Sequence, residues 1–326
     1  IDEKFFLNLI ATKNKNVYEI KNLKLFNDKN LFNLNNVKLG ENFKINDFSS
    51  IEVKFYNKDE FINDLLIIKN KNRIKVTSNK LDISKNIEKS LTGSEKKSFL
   101  DVFHNLNSSV NIDIKLAKLD NEHELNNVNG KALIKKSKVD KANLFAKFDM
   151  KNKFIYTKDD LGGKKVVTIY SDIAKPFVKK FKFIKGFEGG KLDYTATEIN
   201  EDISKSELRI YDFKLQDMPA LTKLLSLASL QGIADLATGE GIRFNDFEMF
   251  FENSKNLIKI NEIYALGPAI SILMEGYVEK NNLVSLRGTL VPATTINKTI
   301  AKIPLLGDIL VGDKTGEGVF GVSFKI

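Results

Sequence analysis

Apolar and polar positions alternate with period two through most of the chain, the spacing that puts successive side chains on opposite faces of a sheet. Val110, Ile112, Ile114 and Leu116 alternate with Asn111, Asp113 and Lys115, and Ala142, Leu144, Ala146 and Phe148 alternate with Asn143, Phe145 and Lys147. Ile270, Ile272, Met274 and Val278 share a phase interrupted only by Gly276. Val284, Leu286 and Leu290 repeat it after the polar turn Glu279 to Asn282. Turn-forming pieces such as Asn14-Lys15-Asn16, Lys151-Asn152-Lys153 and Gly162-Gly163 separate these runs at hairpin-like distances. The pattern predicts a mostly β protein, a meander of many short antiparallel strands.

Helical signals are few and sit between blocks of strands, which argues against an α/β fold. Ser94 to Asn105 carries Phe99, Leu100, Phe103 and Leu106 on one stripe. Asp172 to Ile184 carries Ile173, Phe177, Phe181 and Ile184 opposite Lys175, Lys179, Lys180 and Lys182. A third helix opens with Asp217 as N-cap and Pro219 in the first turn, then runs apolar until Gly239; a fourth spans Thr295 to Leu310 and is broken by Pro304. Both of these are unusually apolar. The resulting division is residues 1–107 with a helical segment near 84–106, residues 108–216 with an amphipathic helix near 172–186, and residues 217–326 with the two apolar helices. A short echo links Val76-Thr77-Ser78 and Asp82-Ile83-Ser84-Lys85 with Val167 to Ser171 and Asp172-Ile173-Ala174-Lys175, as if one strand-block-plus-helix unit occurred twice.

Composition narrows the chemistry. The 326 residues contain no Cys and two histidines, which removes disulfides and thiolate chemistry and leaves little for imidazole. Ile1 stands where an initiating Met would, so the chain reads as part of a longer protein, and it contains no apolar run of membrane-spanning length. The net charge is +9, but only Arg73, Arg209, Arg243 and Arg287 are arginines, and base readout favours the bidentate guanidinium. The lysines spread along the whole chain, which describes a solvated surface better than a nucleic-acid footprint.

The catalytic motifs fail one by one. Gly316, Gly318 and Gly321 have the spacing of a dinucleotide loop, but Val319 to Phe324 reads as a strand where the helix should begin. In Gly307 to Thr315, Asp313 would repel a phosphate from the backbone amides. His104 and His123 have no companions at metal-site spacing, and no serine sits in a nucleophile elbow. Asp159-Asp160 and Glu201-Asp202 fall in polar turns. Neither an active site nor a cofactor site is expected.

A series of segments in the last third of the chain carries a family resemblance. It comprises Leu208 to Phe213, Leu224 to Leu230, Gly239 to Phe244, Gly267-Pro268-Ala269, Leu286 to Pro292, Ile303 to Leu310 and Gly316 to Val322. In this order they resemble the C-terminal region of the AsmA-like envelope proteins, closest to the YhdP branch. Phe148 through Lys191 resembles the same family more loosely. The resemblance implies a long, strongly curled sheet forming an apolar groove that carries phospholipids between the inner and outer membranes of a Gram-negative envelope. It also implies a periplasmic location, with an inner-membrane tether supplied by an N-terminal helix outside this chain. No catalytic residues come with it.

The residues themselves lead to a related expectation. A sheet with one oily face must cover that face with a second sheet, with helices or with a ligand. If phospholipid acyl chains do so, the single-phase strands line the channel: Val110, Ile112, Ile114 and Leu116; Leu144 and Phe148; Leu192 and Tyr194; Ile258 and Ile260; Ile270, Ile272 and Met274; Val284, Leu286 and Leu290; Phe320, Val322 and Phe324. The alternative is a closed β-core in an envelope assembly or structural factor. In the apolar helices, Leu221, Leu224, Leu225, Ile303, Leu305 and Leu306 are candidates for contact with a membrane surface or an envelope protein.

Overall fold

A computed structural model describes residues 4–14, 17–40, 42–56, 61–85, 98–180, 186–200, 202–216, 222, 239–279, 283–292 and 322–325. The protein is mostly β, as the alternation predicts, and forms two compact units, Ile1–Asp172 and Ile173–Ile326. The divisions expected after residues 107 and 216 both fall inside a unit.

The first unit holds β1 (Phe6–Asn14), β2 (Val17–Phe26), β3 (Leu31–Leu39), the short β4 (Ile45–Asp47), β5 (Ser50–Tyr56), β6 (Ile62–Asn70), β7 (Arg73–Asp82), β8 (Ser108–Lys118), β9 (Glu124–Lys135), β10 (Lys138–Lys147), β11 (Lys153–Leu161) and β12 (Lys164–Ser171). Each strand pairs antiparallel with the next, except that β4 and β5 share one side of β3, and that β7 and β8 run parallel. Within the unit the ladder is open, with β1 and β12 at its ends. The parallel pair corrects the all-antiparallel expectation. Two parallel neighbours cannot be joined by a hairpin, so the chain leaves β7 at one end of the strands and enters β8 at the other, through a connection whose described residues are 83–85 and 98–107.

That crossover also changes the first predicted helix. Among its described residues, Ser98 caps a single 3-10 turn, Phe99–Val102: its hydroxyl accepts from the Leu100 amide at 3.2 Å, and its own amide donates to the Asp101 carboxylate at 2.8 Å. The chain is already extended at Phe103, which bridges Ile45 in parallel. Phe103 and Leu106 turn into the core while Phe99 stays exposed, so the apolar positions mark separate burial sites and not one helical face. With Val37, Phe48, Ile51, Ile67, Ile74, Val110 and Ile134 they form one hydrophobic cluster lying on the sheet.

The second unit begins with helix α1 (Lys175–Val178), followed by β13 (Phe187–Glu198), β14 (Ser204–Leu215), β15 (Ile242–Asn253), β16 (Leu257–Leu266), β17 (Ile270–Glu279), β18 (Val284–Pro292) and β19 (Val322–Lys325). These strands pair antiparallel in sequence order. Helix α1 is one turn where thirteen residues of amphipathic helix were expected, and the expected stripe residues Phe181 and Ile184 lie outside the described residues. Pro176, Phe177 and Val178 are buried in succession, so the turn is plugged into the protein on more than one side. Of the two apolar helices, Leu221, Leu224, Leu225, Ile303, Leu305 and Leu306 likewise lie outside the described residues, as does Phe320.

Candidate functional site

Residues directly opposite each other on paired strands share a face of the sheet, so register converts sequence phase into a surface. In the first unit one line can be followed through every long strand: Leu9, Leu23, Leu34, Ile51, Ile67, Val76, Ile112, Gly130, Leu144, Tyr156 and Ile169. No charged residue interrupts it. Val110, Ile114 and Leu116 flank Ile112 on the same face, opposite Ala132, Val128 and Asn126 of β9. Phe148 falls just past the end of β10, its amide donating to the Asn152 carbonyl and its carbonyl accepting from the Asn126 side chain, both at 2.9 Å.

The second unit repeats the arrangement. Leu192, Ile210, Phe247, Ala265, Ile272, Leu290 and Val322 form one row. The next contains Tyr194, Leu208, Met249, Ile263, Met274, Gly288 and Phe324. Ile258, Val278 and Val284 align in a third, and Ile260, Gly276 and Leu286 in a fourth. A register shift between Ile260 and Ile263 keeps both residues on this face, although they are an odd number of positions apart. The structure thus brings the expected lining positions of β13 and β16 to β18 onto one face. It adds Phe213, Phe244, Met249 and Phe251, and the rings of Phe187, Phe213 and Phe244 stack with centroids 5.1 and 5.3 Å apart. Met249 and Phe251 follow the alternation of β15, whereas Phe213 and Phe244 fall out of step with Ile210 and Phe247, so simple alternation does not reveal them.

Cover differs between the units. In the second, Leu208, Met249, Ile270 and Leu290 are 0% exposed and Ile272 is 6% exposed. In the first, the crossover cluster seals the middle, but Leu23, Leu34, Val76, Ile112, Leu144 and Tyr156 are only half-buried, and Leu9 is exposed. On the buried face the Tyr194 hydroxyl shares a hydrogen bond with Ser206 at 3.2 Å, and burial pushes its pKa up, keeping it neutral. The opposite face is charged, with Lys141 pairing with Asp159 at 2.6 Å. A second charged group lies on the apolar side itself, toward the β9–β10 turn: Asp140 sits between Lys135 and Lys165 at 2.8 and 2.6 Å, and these cations hold its carboxyl down at about 2.

The Asp120 carboxylate caps the β8–β9 turn, accepting from the Glu122 and His123 amides at 2.7 and 2.8 Å and contacting His123 Nδ1 at 2.9 Å. Among the described residues no group of His, Cys, Asp or Glu is arranged to hold a metal, and no helix is long and apolar enough to cross a membrane. Comparison with models of known protein families, with characterised proteins and with solved structures finds no match to this chain.

Proposed function

We propose that the chain is a non-enzymatic lipid carrier whose open apolar sheet face accommodates phospholipid acyl chains, the role expected of the AsmA-like envelope proteins that its C-terminal third resembles. In this reading it works in the periplasm, moving phospholipid between the two membranes. The observation that supports it best is the row from Leu9 to Ile169, crossing eleven strands without a charge and fully buried only at Ile51, Ile67 and Ile169. At ~4.8 Å per strand it runs about 48 Å along the sheet, longer than the ~15 Å that one tail spans in a bilayer leaflet. Each methylene taken from water contributes ~0.8 kcal/mol, so a charge within the row would interrupt a strong and continuous attraction.

A second reading draws on the second unit, where the burial of Leu208, Met249, Ile270 and Leu290 fits a closed β-core in an envelope assembly factor that holds no lipid. Native mass spectrometry of the gently purified chain separates the two. The carrier should release phospholipid, and Leu144→Lys should lose it while keeping the wild-type far-UV spectrum. Folded wild-type protein free of lipid would leave the assembly factor as the better account.

A further inference from the structure

The turns of the first unit gather at two ends of its strands, and the two ends differ in charge. One end carries the β1–β2, β3–β4, β6–β7, β9–β10 and β11–β12 connections; there Lys13, Lys44, Lys71, Arg73, Lys136 and Lys164 are all exposed. Acidic groups near this end hold lysines of their own: Glu19 pairs with Lys38, Asp47 with Lys69, Asp159 with Lys141, and Asp140 with Lys135 and Lys165. The remaining cations therefore face outward with their charge uncompensated by these carboxylates. At the other end the turns carry Asp28, Asp120, Glu122 and Asp149 beside Lys29 and Lys151, with the exposed Lys147 and Lys153 at the flanking strand ends, so its charges are balanced.

Large apolar side chains stand among the basic turns. Phe43, at the tip of the β3–β4 turn, is 68% exposed and stacks on Tyr18 with centroids 5.4 Å apart, while Lys13 lies over the other ring at 5.4 Å. Ile45, two residues on, bridges Phe103, whose ring meets the 59% exposed Phe99 at 5.6 Å. Leu161, closing β11, is 63% exposed. Phe43 has φ +57°, Lys71 +54° and Lys136 +48°, a backbone region that favours Gly or Asn, so these turns keep a bulky aromatic and two cations where a cheaper residue would fold more easily.

From this we infer that the basic turn end of the first unit docks on an anionic phospholipid bilayer, with Phe43 and Phe99 entering the interface and the lysines meeting the headgroups. The other end also exposes apolar residues, Phe6, Leu7 and Met150, but its carboxylates offset its lysines, so the same surface attracts it less. This docking stands whether or not the sheet face carries lipid.

Co-sedimentation of the full chain with vesicles tests it. Vesicles of phosphatidylglycerol and phosphatidylcholine should capture the protein, those of phosphatidylcholine alone should not, and salt should weaken capture. Lys71→Asn with Lys136→Asn should lose about 25-fold in partitioning, about fivefold per cation removed. Lys29→Asn with Lys151→Asn should lose nothing. Phe43→Gly should reduce capture several-fold without lowering the melting temperature, since glycine relieves the backbone. Equal capture by neutral vesicles would overturn the inference, as would Phe43→Gly lowering stability with capture unchanged. So would equally tight heparin binding that Phe43→Gly leaves intact, for then the basic end would be reading charge alone.

Discussion

At Gly130 the apolar row narrows to a backbone. A Cβ built there would lie 2.1 Å from the Asn143 carbonyl oxygen and 2.7 Å from Leu144 Cδ2, so Leu144 fills the space from the next strand. Gly288 repeats the device under Met274, whose Cγ would lie 2.7 Å from an added Cβ. Two effects oppose each other in Gly130→Ala. Alanine is favoured in a strand interior by roughly 0.5–1 kcal/mol, while pressing a methyl into backbone costs roughly 1–3 kcal/mol. The clash is with a carbonyl and has no flexible end to move, so it should win: urea denaturation should show a net loss of about 1–2 kcal/mol, and a neutral or stabilised variant would mean the strands part easily there. The phase of Val128, Gly130, Ala132 and Ile134 is legible in the sequence. The need for glycine is not, because it arises from the register with β10, which no local pattern contains.

The crossover shows what such local reading misses at the scale of an element. Phe99, Leu100, Phe103 and Leu106 have helical spacing, yet Phe103 and Leu106 reach buried sites from extended backbone. What fixes them is distant in sequence. Ser137, in the β9–β10 turn, accepts from the Leu106 amide at 2.8 Å, donates to the Phe103 carbonyl at 3.1 Å, and sends its own amide to the Leu106 carbonyl at 2.9 Å. The His104 amide donates to the Ile45 carbonyl at 2.8 Å. Phe103→Ala should cost about 3–5 kcal/mol through the cavity left beside Phe48 and Ile51. Ser137→Ala should cost about 1–3 kcal/mol, because the Leu106 amide is left buried without its partner. Denaturant curves for the two variants check both, and a negligible effect of Phe103→Ala would mean the crossover rests on the sheet without sealing it. Hairpins were predictable here because their turn signals lie beside the strands they join. A parallel pair was not, because its connection carries no comparable signature.

Across the whole molecule, the same alternation produces two differently covered faces, and this separates a carrier from a closed core. A lysine introduced into the row tests cover position by position. Leu23 is half-buried near the open end of the first unit, so a lysine there can lay its methylenes along the face and bring its ammonium to water. Ile51 is 3% exposed under the crossover cluster, and an ammonium at that site has no such route. An unpaired buried charge costs several kcal/mol, comparable with the ~5–15 kcal/mol that holds a typical domain together. Leu23→Lys should therefore fold and melt within a few degrees of the parent chain, while Ile51→Lys should lose most of the first unit's cooperative transition. Ile272→Lys, at 6% exposure, should do the same to the second unit. The contrast matters more than any single value. If Leu23→Lys unfolds as thoroughly as Ile51→Lys, the row is closed along its length by the polypeptide itself, and no hydrocarbon guest has room on it. If the contrast holds, the polypeptide leaves that stretch open, which is the room the proposed hydrocarbon guest requires.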